Sequence, residues 1–152
     1  MAATIAIDAR KIDDFGIGTY IKNLVRELGR IDRENHYVLL VGPQRQADLS
    51  ALPDNFTCAI VSAPVYSLRE LISLSWRLSR LRVDLYHATH YVLPAVLPCP
   101  AVVTIHDIIH LLFPDFLPSR WAYLYARHMI RRSLLLGDRI LVVSRTTRWR
   151  SK

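Results

Sequence analysis

Ala101-Val102-Val103-Thr104-Ile105 is a nearly continuous apolar run, followed at once by His106 and Asp107. A buried strand ending this way delivers an imidazole and a carboxylate to the carboxyl edge of a sheet. In open α/β sheets that edge is where ligands bind. His87-Ala88-Thr89-His90 follows another short apolar run in the same manner. Neutral imidazoles both donate to and accept from hydroxyls, so two such strand ends suit a sugar or a phosphate. With His110, the same residues also make a chemically suitable zinc ligand set for a metal-dependent hydrolase. Metallohydrolase pairs usually sit one helical turn apart, whereas His106-Asp107 opens a loop, so no metal is expected. The plain alternative is a group of hydrogen-bonded core and loop histidines.

A second chemical feature is Gly16-Ile17-Gly18, placed between a strand and a helix. Two glycines let backbone approach a ligand closely, and amides at a helix start attract phosphate. The dinucleotide fingerprint needs a third glycine where Ile21 stands. It also needs an acid near the end of the second strand, and Val41-Gly42-Pro43 supplies none. A nicotinamide enzyme is therefore set aside, and no cofactor is expected.

These groups need a scaffold, and its elements are legible. Ile5-Ala6-Ile7 reads as a strand ending at Asp8-Ala9-Arg10. Ile17, Ile21, Leu24 and Leu28 follow a helical period, with Gly29 expected as the C-cap. Residues 37–41 and 56–61 read as strands. Ser67 and Glu70 form a capping-box pattern in a helix carrying Leu68, Leu71, Ile72, Leu78 and Leu81. Leu85-Tyr86-His87 and residues 101–105 are further strands. Ser119 caps a long helix to Leu136, with Gly137 expected as its C′ residue, and residues 139–144 form a sixth strand. Strands alternating with helices, several of them continuous apolar runs, predict a single α/β domain. It is a Rossmann-like, doubly wound parallel sheet in three α/β/α layers.

The chain has 152 residues, half of them hydrophobic, enough for one domain with a proper core. No apolar stretch is long enough to span a membrane, and the first residues lack the pattern of a signal peptide. Cys58 and Cys99 have no partner spacing and read as reduced thiols, so a cytoplasmic location is expected. From Phe116 onward nine Arg and Lys face the single acid Asp138, so the rest of the +7 chain is near neutral. Such a patch suits nucleic acid or anionic lipid. The plain reading is a solvated helix face and a partner surface. Trp121, Tyr123 and Tyr125 among Arg120, Arg127, Arg131 and Arg132 allow a peripheral contact with the inner membrane face. Nucleic acid is not among the expected partners.

Three stretches carry a family resemblance. Ile5-Ala-Ile-Asp8-Ala-Arg10 with Gly16-Ile-Gly-Thr-Tyr20 resembles the start of retaining GT-B nucleotide-sugar glycosyltransferases of family four. Asp84-Leu-Tyr-His87 and Val103-Thr-Ile-His106-Asp107, with Pro114 beyond, are similar to that family's middle motifs. Ile140-Leu-Val-Val-Ser144 with Thr147-Arg148 looks like the segment closing its N-terminal domain. The resemblance implies two Rossmann-like domains across a cleft, the first holding the acceptor and the second most of the sugar nucleotide. It implies that Gly16 and Gly18, with Thr19 beside them, lie against the donor diphosphate. His106 would sit near the transferring sugar, Asp107 would orient it, and His87 with His90 would line the cleft. Family members are more than twice as long, so residues 1–152 are expected to be a truncated acceptor-side domain. On that expectation the donor-binding domain is absent and the fragment alone is inactive. The implied partners are a nucleotide-sugar donor and an acceptor sugar, lipid or small molecule. A non-catalytic partner- or membrane-binding module is the reading from a different class.

Overall fold

A computed structural model describes residues 2–43, 52–63, 67–108 and 119–144. His110, Pro114, Thr147 and Arg148, used above, lie outside the described residues. Six strands form one sheet: β1 (Thr4–Asp8), β2 (His36–Val41), β3 (Phe56–Ile60), β4 (Leu85–Ala88), β5 (Ala101–Ile105) and β6 (Arg139–Val142). Their order is β3-β2-β1-β4-β5-β6, and every neighbouring pair is parallel. The chain moves outward from β1 to β3, then returns to place β4 on the other side of β1. That reversal makes the β1/β4 boundary the switch point, where a crevice opens beyond the strand ends.

Among the described residues, three helices cover the sheet: α1 (Phe15–Ile31), α2 (Leu68–Leu81) and α3 (Arg120–Leu136). Successive strand residues point to opposite faces. Accordingly Ile7, Leu39 and Phe56 pack with Ile21 and Val25 of α1. Ala6, Leu40, Tyr86 and Val103 pack with Leu74 and Leu78 of α2. Arg132 of α3 donates to the carbonyls of Leu93, Pro94 and Ala95, and the Ala95 amide bonds to Leu71 of α2. Helices α2 and α3 thus share one face and α1 takes the other, which gives the expected three-layer Rossmann-like domain.

The helix starts behave as their capping residues dictate. Ser67 Oγ accepts from Glu70 N at 3.1 Å, and Ser119 Oγ accepts from Ala122 N at 3.2 Å. Two glycine expectations are corrected. Gly29 is not a cap but an interior residue of α1, which continues to Ile31 and ends at Asp32. A Cβ at Gly29 would stand 2.2 Å from Pro53 Cγ, so helix-to-loop packing selects the glycine. Gly137 ends α3 with extended backbone (φ −75°, ψ 127°) in place of the left-handed turn. There a Cβ would meet Ser133 O, Ile140 Cδ1 and Val103 Cγ2 within 3.0 Å.

The two glycines opening α1 have opposite surroundings. A Cβ at Gly18 would lie 2.3 Å from the Ile12 carbonyl oxygen, whereas one at Gly16 meets nothing within 4 Å. Gly18→Ala is expected to cost about 1–3 kcal/mol from overpacking against backbone. Gly16→Ala should be neutral or stabilising by up to about 1 kcal/mol, from helix propensity alone. Urea unfolding of both variants checks the contrast, and equal effects would contradict this account of the turn.

Candidate functional site

The carboxyl end of β1 places Asp8 under the switch point, and the chain turns back so that Arg10 reaches it. Arg10 Nε donates to Asp8 Oδ1 at 2.9 Å and Nη2 to Asp8 Oδ2 at 2.6 Å. The same Nη2 donates to Glu70 Oε1 at 2.7 Å, tying the first turn of α2 to the end of β1. All three side chains are almost wholly buried. Tyr86 donates its hydroxyl to Asp8 Oδ2 at 3.1 Å, and Thr89 donates to the Asp8 carbonyl at 2.6 Å. His90 stands behind them, with Nδ1 3.8 Å from Asp8 and Nε2 3.9 Å from Glu70. Burial alone would raise the Asp8 carboxyl, but Arg10 outweighs it and holds the group at about 2.

Among the described residues, Asp8, Glu70 and His90 are the trio whose ligand atoms come within 4.8 Å of one another. The position a cation would take between the carboxylates is filled by the Arg10 guanidinium, which already balances one charge and bridges both. A divalent ion would have to displace a bidentate, buried Arg–carboxylate pair, the strongest class of side-chain hydrogen bond. The trio does not fit a resident metal.

A second polar group lies on the α1 face of the sheet. His87 Nε2 and Thr104 Oγ1 are 2.8 Å apart, and Tyr20 Oη of α1 is 3.0 Å from the same hydroxyl. The Tyr20 ring meets the His106 ring edge-on, with centroids 5.0 Å apart. His106 Nε2 donates to the Thr89 carbonyl at 2.9 Å, which fixes the ring proton on that nitrogen. Burial pushes His87 down to about 4, against the opposing pull of Asp8, so its ring is neutral at physiological pH. The result is a patch of fixed hydroxyl and imidazole groups at the ends of β4 and β5, joined to the start of α1 through Tyr20. Tyr20 and His106 are its half-buried members, open to a hydroxyl, with His87 and Thr104 buried behind them.

The sequence-derived residues divide accordingly. His87 and His106 come together through Thr104 and Tyr20, and exposed Asp107 follows on the rim. His90 does not join them; its buried ring belongs to the carboxylate network on the α2 side. Gly18 is buried and its amide donates to Asp14 O at 2.5 Å. The amides of α1 lacking helical acceptors are therefore those of Phe15, Gly16 and Ile17. Thr19 is exposed, and its hydroxyl donates to Phe15 O within the helix. His87, His90, His106 and Asp107 do not converge as a ligand set, and His110 lies outside the described residues. Reasoning from sequence missed Tyr20, Thr104, Arg10 and the tertiary role of Glu70. A polar Thr104 inside a buried apolar strand was the available signal.

A parallel α/β sheet in switch-point order, with hydroxyl and imidazole groups at its carboxyl end, defines a Rossmann-like domain. The family model Glycosyltransferase Family 4 matches residues 16–151, and the chain belongs to that family. No individual curated protein matches it. A domain of this family binds nucleotide-sugar donor and acceptor in general terms. No helix among the described residues is long and apolar enough to cross a membrane.

Two predictions follow from the charges. Arg10→Ala leaves two buried carboxylates unbalanced and should cost about 3–5 kcal/mol, read by chemical denaturation. His90 is also pushed down to about 4, by burial first, with Asp8 opposing. Between pH 6.5 and 4 the unfolded chain then binds protons at His87 and His90 that the folded chain does not. Stability therefore falls as pH drops through that window, at up to about 1.4 kcal/mol per pH unit for each histidine. The Asp8 contribution is lost only below about pH 4. Thermal unfolding from pH 7 to 4 should show this fall, and His87→Gln with His90→Gln should flatten it.

Proposed function

We propose that this chain is the acceptor-side half of a GT-B glycosyltransferase. The intact enzyme would transfer a sugar from a nucleoside diphosphate to an acceptor hydroxyl with retained configuration. The observation that carries this is the convergence of His87, Thr104, Tyr20 and His106 at the rim of β4 and β5, beside the start of α1. Catalysis in this reading rests on positioning and on neutralising charge at the departing diphosphate, with no metal involved.

His106 stands near the transferring sugar, its tautomer set by the Thr89 carbonyl, and Asp107 orients the adjoining rim. His87, fixed through Thr104, stands behind Tyr20 and His106 as the buried support of the cleft wall. The amides of the first turn of α1, at and around Gly16, face the diphosphate, with Gly18 allowing the turn to pack. A second α/β domain supplies the groups that read the nucleotide and donor sugar. The histidine-based hydrolase is not favoured, because the rings are committed to different partners.

Amide-resolved NMR titration with a nucleoside diphosphate, and separately with simple glycosides, tests this reading. The expected shifts cluster at Gly16–Tyr20, His87 and His106, and His106→Ala removes them. Shifts confined to other surfaces would overturn the site assignment. Purified residues 1–152 should give no sugar transfer from any nucleotide sugar; turnover would contradict the division of labour.

A further inference from the structure

The layer formed by α2 and α3 has an outer surface that differs in kind from that of α1. On α2 the outward residues include Arg69, Ile72, Trp76 and Arg80, and Ile72 and Trp76 are 69% and 58% exposed. On α3 they include Trp121, Leu124, Arg127, Arg131 and Leu135, with Trp121 80% and Leu135 72% exposed. These α3 positions recur at helical spacing on the side opposite the buried Ala126, Met129, Ile130 and Ser133. Between the helices Val96, whose amide bonds to Ser75 Oγ of α2, is 68% exposed. Helix α3 contains no acid, and the single acid of α2, Glu70, is buried against Arg10.

A solvated helix face normally mixes both charge signs, as α1 does with Glu27 between Arg26 and Arg30. Isolated exposed leucines mean little, but several large apolar residues exposed on two helices of one layer mark an interaction site. Here the apolar groups alternate with arginines whose stems can lie along them, and the Arg80 guanidinium sits over the Trp76 ring, 5.0 Å from its centroid. Two exposed tryptophans suit a boundary with one apolar and one wet side. Such a face complements a partner that is apolar beneath and negatively charged above.

We infer that the α2/α3 face docks on an anionic lipid bilayer surface, lying in the headgroup boundary without crossing it. The charge complementarity and the interleaved tryptophans favour lipid over a second, equally basic copy of this chain. Helix α3 follows the carboxyl end of β5, so its Trp121 end lies toward the rim that carries His106. Docking through this face would hold that rim close to the lipid surface. The inference stands on the surface alone and does not depend on sugar transfer.

Co-sedimentation of the chain with vesicles of phosphatidylcholine containing phosphatidylglycerol, against phosphatidylcholine alone, tests it. Tryptophan emission read in parallel reports burial of the indoles. The expected result is binding to anionic vesicles with a blue shift, weakened by raised salt. Arg127→Ala or Arg131→Ala should each weaken partitioning about fivefold. The pair Trp76→Ser and Trp121→Ser should weaken it tenfold or more, with folding checked by circular dichroism. Lys22→Ala with Arg33→Ala, on the other side of the sheet, should change it less than twofold. Absence of binding at low salt, or binding that the tryptophan pair leaves intact, overturns the inference. So does self-association without vesicles that these same substitutions abolish, which would make the face an interface between copies.

Discussion

Arg10 is the residue on which the geometry of the switch point depends. Its guanidinium links the end of β1 to the first turn of α2, elements sixty residues apart in sequence, through Asp8 and Glu70. Two carboxylates at almost zero exposure are intolerable without it, because an ion in a low-dielectric interior loses several kcal/mol of hydration. With it, the charges become a clamp. The Tyr86 hydroxyl adds a further donor to Asp8. Such a network adds little net stability compared with a well-packed apolar core. Its contribution is to restrict how β1, α2 and the loop after β4 meet.

The clamp reaches the rim by a short route. Thr89 donates its hydroxyl to the Asp8 carbonyl, while its own carbonyl accepts from His106. One loop residue therefore joins the buried charges to the imidazole on the rim. On the opposite side of the sheet, Tyr20 braces the same imidazole edge-on and holds Thr104 against His87. His106 is thus located by an element on each face, while Asp107 beside it is exposed. Fixed partners behind and an open rim in front is the arrangement a positioned binding group needs, since reorganisation on binding is then small.

Much of this was legible in the sequence. The strands and helices of the described residues follow from apolar runs and helical periodicity, and the strand-end positions of His87 and His106 follow from the runs preceding them. Local signals also located Ser67 and Ser119 as caps, because a cap is decided within four residues. Partners set by tertiary contact were not readable. Glu70 fits a capping box in sequence, and no local pattern indicated that its carboxylate also takes Arg10 from sixty residues away. His87 and His90, three residues apart, go to opposite sides of the sheet because the chain leaves β4 between them. Gly29 has the sequence position of a C-cap, but its smallness is required by Pro53, which no local pattern could indicate.

Charge makes the same point on a larger scale. Counting along the sequence assigns the basic character to the last quarter of the chain, but a cation's role depends on where its side chain ends. Arg132 is counted in that basic segment, yet its guanidinium is spent on the carbonyls of Leu93, Pro94 and Ala95. Arg10 is buried entirely. Arg69 and Arg80, in the nearly neutral part of the chain, come to stand on the same face as Arg127 and Arg131 once α2 and α3 share a layer. The surface that results is more one-sided than the linear count suggests, because Glu70, the one acid of α2, lies on the buried stripe with Leu74 and Leu78, where Arg10 pairs with it. The helical register that brings Glu70 to the switch point therefore also leaves the outer face above it without a negative charge.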